Sequence, residues 1–366
     1  MKKVLFVSKS ESIGGLEKVM AELTSSLDRA KYEITVMTGT YNPDLAKQLP
    51  EHVTYKPLFR SKRKGLDRLL IHLPPAVLHS LFIGPRYDVE ISFQEGYPTR
   101  LVSGAGHRTK TVCWLHNDPA YFDFNLPYYR KKRKLAKALG DYDEVVAVSE
   151  TIRKSYQGYL HIPGLKVIHN PVDLKSIKRM SLERVNDQPP ERGSFRICYA
   201  GRLSEEKRVN MLLECVITLR RRGMDVQLIV VGDGEQLGEL ERRVRDEQAQ
   251  EYIHLMGFKV NPYPYIAHSS LLVCCSQTES FGVAVAEALA LGVPVLSTKC
   301  GGPEEMIEDG HNGLLVDNDH TGLLRGLETM VTNAEMYEQI RSKAALDGNR
   351  FGKAAIMRQI ESILDR

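Results

Sequence analysis

The stretch LLVCCSQTESFGVAVAEALALGVPVLS, residues Leu271–Ser297, has a complete strand–helix–strand pattern. Short apolar runs at 271–275 and Val293–Ser297 have the length and composition of buried strands. Between them, Phe281-Gly282-Val283 opens an Ala-rich stretch that is long enough for a helix. Two strands joined by a helix form a unit of a parallel sheet, so this stretch predicts an α/β layer architecture.

The same alternation of strands and helices extends along the chain on both sides of one polar segment. That segment, Lys175–Ser194, is charged and contains Pro189-Pro190, which is typical of a linker. We therefore predict two Rossmann-like α/β domains. The predicted boundaries are 1–174 for the N-terminal domain, 175–194 for the linker, 195–345 for the C-terminal domain, and 346–366 for a helical segment that could pack back on the N-terminal domain.

Composition is that of an ordinary globular protein, because 42% of the 366 residues are apolar and 26% are charged. The net charge of +4 is too small to indicate a nucleic-acid partner. The N-terminal MKKVLFVSKS has too short an apolar run for a signal peptide, and no run is long enough for a membrane-spanning helix. The six cysteines show no C-x-x-C pairing, so we expect free thiols and a cytoplasmic location.

Ligands of such sheets bind at the carboxyl ends of the strands, so the loops there are the candidate sites. After the first strand, Gly14-Gly15 precedes a helix, which suits either a ligand or a plain tight turn. In the second half, Gly201-Arg202 and Lys207 follow a strand and would suit a pyrophosphate. Taken alone, these cations are also consistent with a solvated surface.

Two further loops, around Gly232 and Phe258, follow the next strands and fit contacts with a nucleotide base. Glu279 lies in the loop after the strand at 271–275, and Glu287 lies inside the apolar helix. The helix neighbours of Glu287 three and four positions away are apolar, so a carboxylate on that face needs a partner. Either Glu287 points to solvent, or a ligand diol such as that of ribose satisfies it.

Together these motifs resemble the retaining glycosyltransferases of family 4, of the bacterial surface-polysaccharide type, which have the GT-B fold of two Rossmann-like domains facing across a cleft. The resemblance covers essentially the whole chain in order. It rests on the Glu279-x7-Glu287 pair and on Gly14-Gly15-x-Glu17, Gly201-Arg202 with Lys207, Asn170-Pro171-Val172-Asp173 and Gly301-Gly302-Pro303-Glu304-Glu305.

The resemblance implies a role for each matching residue. Glu287 would bind the ribose, Glu279 would contact the donor sugar, and His116 would lie near that sugar. The diphosphate would be held by the backbone of Phe281, Gly282 and Val283, neutralised by Arg202 and Lys207, and admitted by Gly15. The predicted donor-binding residues are thus Gly14, Gly15, Gly201, Arg202, Lys207, Gly232, Phe258, Glu279, Phe281, Gly282, Val283 and Glu287, and the predicted catalytic residues are Glu279, His116, Arg202 and Lys207.

The resemblance also implies the reaction, namely transfer of a sugar from a nucleotide-sugar to an acceptor hydroxyl with formation of an α-glycoside. UDP is the expected nucleotide, with GDP and ADP left open. No cofactor is expected, since the nucleotide-sugar is a substrate. The Asp141-Tyr142-Asp143 and Asp317-Asn318-Asp319 motifs have D-x-D form, but the family generally needs no metal, and we predict none.

Positive charge is concentrated in the half expected to bind the acceptor. Arg130, Lys131, Lys132, Arg133 and Lys134 are consecutive, and Arg60 with 62–64 forms a second basic cluster beside the apolar stretch Leu66–Ile83. One interpretation is a solvated helix face and an ordinary core helix. The other is a surface that docks on anionic lipid, which would make the acceptor a lipid-linked sugar or glycolipid at the cytoplasmic face of the membrane.

Two other functions fit the same fold. A sugar-nucleotide epimerase would share the donor site but would need no acceptor, and a non-catalytic protein would bind nucleotide-sugar without turnover. The presence of Glu279, Glu287, Arg202 and Lys207 together favours the transferase.

Overall fold

The computed structural model describes residues 1–9, 15–61, 71–187, 194–347 and 352–365. Its contacts divide the chain into two compact units. Unit 1 comprises Met1–Pro171 together with Lys353–Arg366, and unit 2 comprises Val172–Gly352. Each unit is built around its own parallel sheet.

The sheet of unit 1 has seven parallel strands in the order β3-β2-β1-β4-β5-β6-β7. Its central strands are buried on both faces, and Val4, Leu5, Phe6 and Val7 have no exposed surface. Such strands are continuous apolar runs rather than alternating ones because helices cover both sides of the sheet. The strands are β1 Lys2–Ser8, β2 Tyr32–Thr40, β3 Thr54–Phe59, β4 Val89–Ser92, β5 Lys110–Leu115, β6 Glu144–Ala147 and β7 Lys166–Val167.

Two helices of unit 1 begin at a residue whose side chain caps them. The side chain of Asn42 accepts from two backbone N–H groups of the second helix, and Ser149 accepts from the N–H of Ile152. In chain order the helices are α1 Gly15–Ser26, α2 Pro43–Gln48, α3 Pro75–Phe82, α4 Tyr97–Val102, α5 Leu126–Tyr129, α6 Lys132–Gly140 and α7 Glu150–Tyr159.

A buried polar pair joins α3 to the sheet of unit 1. His79 Nε2 lies 2.9 Å from a carboxylate oxygen of Glu90 on β4, and Glu90 has no exposed surface. Burial raises the pKa of Glu90, and the bond with His79 opposes that rise. The pair therefore satisfies a carboxylate that would otherwise be costly to bury.

The sheet of unit 2 has six parallel strands in the order β10-β9-β8-β11-β12-β13. Its core lies between this sheet and its helices and is lined by Val and Leu side chains such as Leu212, Val216 and Leu228. The strands are β8 Phe195–Ala200, β9 Val226–Val231, β10 Ile253–Gly257, β11 Leu271–Cys274, β12 Val295–Thr298 and β13 Gly313–Val316.

The first helix of unit 2 lies inside the segment predicted to be a linker. The side chain of Asp173 caps this helix by accepting from Ser176 N–H, and Ile177 is buried. The helices are α8 Leu174–Met180, α9 Val209–Arg221, α10 Leu237–Asp246, α11 Tyr263–Ala267, α12 Val283–Ala290, α13 Pro303–Met306, α14 His320–Thr332 and α15 Ala334–Asp347, with a 3₁₀ turn at Glu205–Lys207.

A last helix, α16 Lys353–Asp365, belongs to unit 1. The Lys2 ammonium donates to the carbonyls of Leu364 (2.9 Å) and Asp365 (2.7 Å), and the Lys110 ammonium donates to the carbonyl of Ile363 (2.6 Å). The final carbonyls of a helix have no partners within it and carry partial negative charge, so two cations are well placed there.

The predicted architecture of two parallel α/β sheets is confirmed. The predicted linker 175–194 is wrong in part, because α8 occupies its first six residues, while residues 188–193 lie outside the described part of the chain. The predicted boundary at 345 falls inside α15. Among the described residues, no helix is both long enough and apolar enough to cross a bilayer.

Candidate active site

In unit 2 the direction of the strand connections reverses between the neighbouring strands β8 and β11. Open α/β sheets bind their ligands at such a reversal, beyond the carboxyl ends of the strands. The loop after β8 carries Lys207 in the 3₁₀ turn, and the loop after β11 carries Glu279. Two predicted catalytic residues, 72 positions apart in sequence, therefore lie at the same edge.

Lys207 and Glu279 form an ion pair, and the Ser276 hydroxyl donates to the same carboxylate oxygen at 3.0 Å. Their side chains are 23% and 19% exposed, so the pair is largely shielded but still reachable. Burial alone would lower the pKa of Lys207, but the attraction of the Glu279 carboxylate outweighs it and the pKa lies above its ordinary value. Lys207 is therefore a fixed cation throughout the neutral pH range.

The main chain of Glu279 is held by the loop that follows β12. Its N–H donates to the carbonyl of Cys300 at 2.7 Å, and Gly302 N–H donates to its carbonyl at 2.7 Å. A Cβ at Gly302 would lie 2.5 Å from the Cα of Phe281, so only glycine permits this approach. The Gly301-Gly302 motif thus positions Glu279 through the backbone.

Glu287 is 5% exposed, so the alternative that it points to solvent is wrong. The Tyr263 hydroxyl, at the start of α11, donates to its Oε1 at 3.2 Å. Helix α12 begins after Gly282, whose φ of +87° is in the left-handed region. The sequence predicts a partner for Glu287 but does not point to Tyr263, because the spacing of 24 residues between them matches no helical or strand periodicity.

The glycine loops after β8, β9 and β10 contact one another through their backbones. Gly201 N–H donates to the Val231 carbonyl at 3.0 Å, and Gly232 N–H donates to the Gly257 carbonyl at 2.9 Å. Gly232 has φ +154°, and a Cβ there would lie 1.8 Å from the carbonyl oxygen of Gly201. These loops therefore form a close-packed backbone edge beside Lys207.

Two of the predicted donor-binding side chains on these loops face outward. Arg202 is exposed, and Phe258 is 49% exposed. The loop that carries Phe258 is tied down by the ion pair of Lys259 with Asp187. An exposed aromatic ring on an anchored loop is a suitable surface for stacking a planar base.

In unit 1 the corresponding reversal lies between β1 and β4. Glu95, just after β4, has no exposed surface and accepts from His116 N–H (2.6 Å) and Asn117 N–H (2.8 Å), which follow β5. The side-chain amide of Asn117 donates to its other oxygen at 2.7 Å. Burial raises the pKa of Glu95, although these bonds oppose the rise. No motif in the sequence marks this carboxylate, which positions the backbone of His116.

His116 is 8% exposed, and its ring lies 4.8 Å from that of Phe93. Burial lowers the pKa of His116 to about 3, so the imidazole is neutral at physiological pH. Within the described residues, Nε2 has no hydrogen-bond partner. A neutral imidazole nitrogen can act as donor or acceptor towards a ligand hydroxyl. Gly15 begins α1, and Gly14 lies outside the described residues.

An aromatic loop of unit 1 is exposed beside the basic segment. Tyr121, Phe122 and Phe124 are 54%, 41% and 39% exposed, and the two phenylalanine rings are nearly parallel, with centroids 5.9 Å apart. The ammonium of Lys9, which follows β1, lies 4.6 Å from the centre of the Phe124 ring. The loop thus presents apolar surface at the edge of the sheet where β1 ends.

The basic segment Arg130–Lys134 is exposed at every position. The Lys132 ammonium lies 3.6 Å from the centre of the Tyr159 ring. Of the second basic cluster, Arg60 is exposed, whereas 62–64 lie outside the described residues, as does 66–70 of the apolar stretch. From residue 75 that stretch continues as α3, whose Leu81 is 63% exposed.

The two D-x-D motifs have structural roles here. Asp143 accepts from the N–H (2.8 Å) and hydroxyl (3.0 Å) of Thr111, and Asp319 caps α14 by accepting from Gly322 N–H at 2.7 Å. Asp317 pairs with Lys299 at 3.2 Å. In the described parts of the chain, no group of three or more His, Cys, Asp or Glu residues is arranged to hold a metal ion.

Comparison with solved structures shows which class of protein has this fold. The structure of Anabaena HepE in complex with UDP-glucose is similar to this chain, with 22% sequence identity and a TM-score of 0.76, and the match covers 100% of both chains. Sucrose-phosphate synthase from Thermosynechococcus elongatus is 16% identical with a TM-score of 0.78, and covers 100% of this chain and 98% of that one. The protein has the GT-B glycosyltransferase fold.

Sequence comparison gives the family relationship. The model of the family described as Glycosyltransferase Family 4 matches residues 13–176, and that of Glycosyl transferases group 1 matches residues 183–347. The protein is therefore a glycosyltransferase related to family 4. An uncharacterized glycosyltransferase of Haemophilus influenzae is 24% identical, with 100% of both chains covered.

A relative with a stated activity is matched over part of its length. The N-acetylgalactosamine-N,N'-diacetylbacillosaminyl-diphospho-undecaprenol 4-alpha-N-acetylgalactosaminyltransferase of Campylobacter jejuni is 28% identical over 53% of this chain. The chain spans about half of that enzyme, since the match covers 51% of it.

Proposed function

We propose that the protein is a retaining glycosyltransferase that moves a sugar from a UDP-sugar to a hydroxyl group of a glycan or lipid-linked acceptor, with formation of an α-glycosidic bond. The observation that carries the proposal is the Lys207–Glu279 ion pair at the strand-order reversal of unit 2, with the buried Glu287 eight positions further on. UDP is favoured because the similar HepE structure contains UDP-glucose.

Cleavage of a sugar–nucleotide bond places negative charge on the leaving diphosphate and positive charge on the anomeric carbon. Lys207, Arg202 and the N–H groups at the start of α12 stabilise the negative charge, because fixed cations and dipoles need no reorganisation during the reaction. The Glu279 carboxylate keeps Lys207 protonated and orients the donor sugar. Glu287 accepts hydrogen bonds from the ribose diol.

Two cations on the donor side supply the charge that a metal ion provides in other transferases, so we propose a metal-independent reaction without a cofactor. This part of the proposal rests on Lys207, whose pKa is held above its ordinary value, and on Arg202, which is an exposed residue of the loop after β8. Activity that persists unchanged in excess EDTA supports it, and restoration of lost activity by a divalent cation contradicts it.

On the acceptor side we propose a glycolipid or lipid-linked sugar of surface-polysaccharide synthesis, reached at the cytoplasmic face of the membrane. The support is the exposed basic segment Arg130–Lys134 together with the exposed aromatic loop of Tyr121, Phe122 and Phe124. Cations attract anionic head groups, and aromatic rings favour the interface between water and lipid. The stated acceptor of the Campylobacter relative is itself a diphospho-undecaprenol.

The donor is tested by thermal shift with UDP-, GDP- and ADP-sugars, because a ligand raises the unfolding temperature according to its concentration relative to its Kd. We expect the UDP-sugars alone to stabilise the protein, and Glu287→Ala to reduce that stabilisation. The stabilising donor is then incubated with candidate acceptors, and NMR assigns the anomeric configuration of the product.

The same incubation without acceptor distinguishes the other functions. Isomerised nucleotide-sugar identifies an epimerase, and tight binding with no turnover under any acceptor identifies a binding protein. A β-linked product contradicts retention, and stabilisation by GDP- or ADP-sugars instead contradicts the choice of nucleotide.

A further inference from the structure

Two thiols lie side by side next to the Lys207–Glu279 pair. Cys274 is the last residue of β11 and Cys300 follows β12, and their sulfur atoms are 4.0 Å apart. The two strands pair in parallel, with Cys274 opposite Ser297. Both cysteines are free thiols, Cys300 being 5% exposed and Cys274 more exposed than that.

Formation of a disulfide needs a sulfur–sulfur distance of about 2.05 Å, so these atoms must approach by roughly 2 Å. Cys275, the next residue in sequence, is placed differently from Cys274. Its thiol donates to the Lys207 carbonyl oxygen at 3.2 Å, and Cys275 has no exposed surface. Position in the sheet, rather than sequence adjacency, therefore pairs Cys274 with Cys300.

The surroundings of Cys274 favour its thiolate. The hydrogen bond with the Cys300 thiol lowers the pKa of Cys274, although burial and the Glu279 carboxylate oppose this shift, and the positive charge of Lys207 adds to it. The same hydrogen bond raises the pKa of Cys300, which therefore stays protonated. A reactive thiolate beside a second thiol is the arrangement found in redox-sensing cysteine pairs.

We propose that Cys274 and Cys300 are an oxidation site for peroxides, and that their disulfide displaces Glu279. The Cys274 thiolate attacks hydrogen peroxide, which leaves a sulfenic acid and releases hydroxide that takes up the thiol proton as water. The Cys300 sulfur then attacks the sulfenic sulfur, and its proton leaves with the hydroxyl group as a second water. Two thiols and one peroxide thus give one disulfide and two waters.

The link to Glu279 is its backbone bond to Cys300. Glu279 N–H donates to the Cys300 carbonyl at 2.7 Å. A second bond joins the same two loops, because the Thr298 hydroxyl donates to the carbonyl of Ser276 at 3.1 Å. Movement of Cys300 towards Cys274 changes the first of these contacts directly. The oxidised protein therefore holds Glu279, and with it the Lys207 ion pair, in a different position.

The chemistry is tested on the reduced full-length chain with stoichiometric hydrogen peroxide. We expect the intact mass to fall by two hydrogen atoms, peptide mapping to join Cys274 to Cys300, and dithiothreitol to reverse both. Cys300→Ser should abolish the mass loss, whereas the matched control Cys275→Ala should retain it. Stable oxygen adducts without a disulfide, or a disulfide between other cysteines, overturn the proposal.

The displacement of Glu279 is read by hydrogen exchange, which needs no activity. The Glu279 amide should exchange at least about tenfold faster in the oxidised protein, because it loses its acceptor. Glycosyl transfer should slow by a similar factor, and the rates before and after peroxide treatment are compared within each variant. Only this measurement of turnover rests on the proposed function. Unchanged exchange with a complete disulfide contradicts the displacement, whereas absence of any donor turnover contradicts only the proposed function.

Discussion

The hydroxyl of Tyr263 donates a hydrogen bond of 3.2 Å to the carboxylate of Glu287, and both side chains are at least 95% buried. A carboxylate in an Ala-rich helix is thus oriented by a residue from another helix. In the proposed site Tyr263 would act on the ribose through Glu287, which makes it a positioning residue. Its contribution can be separated from that of Glu287 by measurement.

Glu287→Ala should weaken binding of UDP by about tenfold to a hundredfold, because a hydrogen bond to a charged group contributes about 1.5–3 kcal/mol. Tyr263→Phe should weaken it less, since the carboxylate remains. Titration calorimetry measures both affinities. Glu251→Ala, an exposed glutamate of the same unit, is the control. Wild-type affinity in Glu287→Ala would contradict the ribose assignment.

Lys207→Ala should lower kcat by about 10²–10³, because removal of one preorganised electrostatic group typically costs about 3–4 kcal/mol. Arg202→Ala should lower kcat as well.

Glu279→Gln should reduce kcat more than UDP affinity, since the proposed contact is with the sugar. The double variant Lys207→Ala/Glu279→Gln should lose less than the sum of the two single losses, because the residues form one ion pair. Additive losses would show that the pair does not act as a unit.

How far the sequence predicts this site depends on the kind of contact. Glu287 is recognisable in the sequence because a carboxylate is costly within an apolar helix, and Glu279 because it follows a strand at the edge where ligands bind. Their partners Lys207 and Tyr263 lie 72 and 24 residues away, and only the strand order and helix packing of unit 2 bring them close. Glu95 was missed for the same reason, since its acceptor role depends on backbone groups 21 and 22 residues further along the chain.

The misassigned linker shows a different limit. The sequence of α8 is mainly polar, and the charged composition of 175–194 outweighed its local signals. Asp173 occupies the cap position, and of the three apolar residues Leu174, Ile177 and Met180 only Ile177 is buried. Because tertiary packing stabilises most short helices, one buried side chain is too weak a periodic signal to predict this one.

The burial of His116 predicts a pH dependence of stability. The pKa is about 3 in the folded protein and about 6.5 when unfolded, so below pH 6.5 only the unfolded state gains the proton. Stability is therefore lost as pH falls, by about 2 kcal/mol between pH 7.5 and 5. In His116→Asn this loss should disappear, as measured by urea unfolding at pH 7.5 and 5. The exposed His107→Asn is the control, and an identical pH dependence in all three proteins would contradict the prediction.

The basic segment should bind anionic lipid. Wild-type protein should sediment with vesicles containing phosphatidylserine and be released by high salt, because each cation near the surface contributes about 1 kcal/mol that salt screens. Replacement of Arg130, Lys131, Lys132 and Arg133 by Ser should abolish sedimentation.

The matched control removes the same charge from unit 2, where Arg242, Arg245, Arg341 and Lys343 are exposed. Their fourfold Ser variant should sediment like the wild type. Equal loss in both fourfold variants would mean that net charge, and not this surface, governs binding. No sedimentation of the wild type at low salt would favour a soluble acceptor.

Gly232→Ala should destabilise unit 2 by about 3 kcal/mol or more, since the new Cβ would meet the Gly201 carbonyl oxygen at 1.8 Å and φ is +154°. Gly238→Ala is the matched control. Gly238 lies in α10, a Cβ there meets nothing within 4 Å, and the change should stabilise by about 0.5–1 kcal/mol. Chemical denaturation measures both. Equal stability of the two variants would show that the loops carrying Gly201 and Gly232 can move apart at little cost in free energy.

Because α16 belongs to unit 1 but follows unit 2 in sequence, unit 1 is completed after unit 2 during synthesis. A ribosome releases the strands of unit 1 first, then the whole of unit 2, and only afterwards the helix whose carbonyls accept from Lys2 and Lys110. Roughly 180 residues intervene, which corresponds to a delay of about 10–40 s at about 5–20 residues per second. Throughout that interval the nascent unit 1 exposes the apolar surface that α16 later covers, which makes it a natural client for chaperones, while unit 2 can complete its own fold during translation.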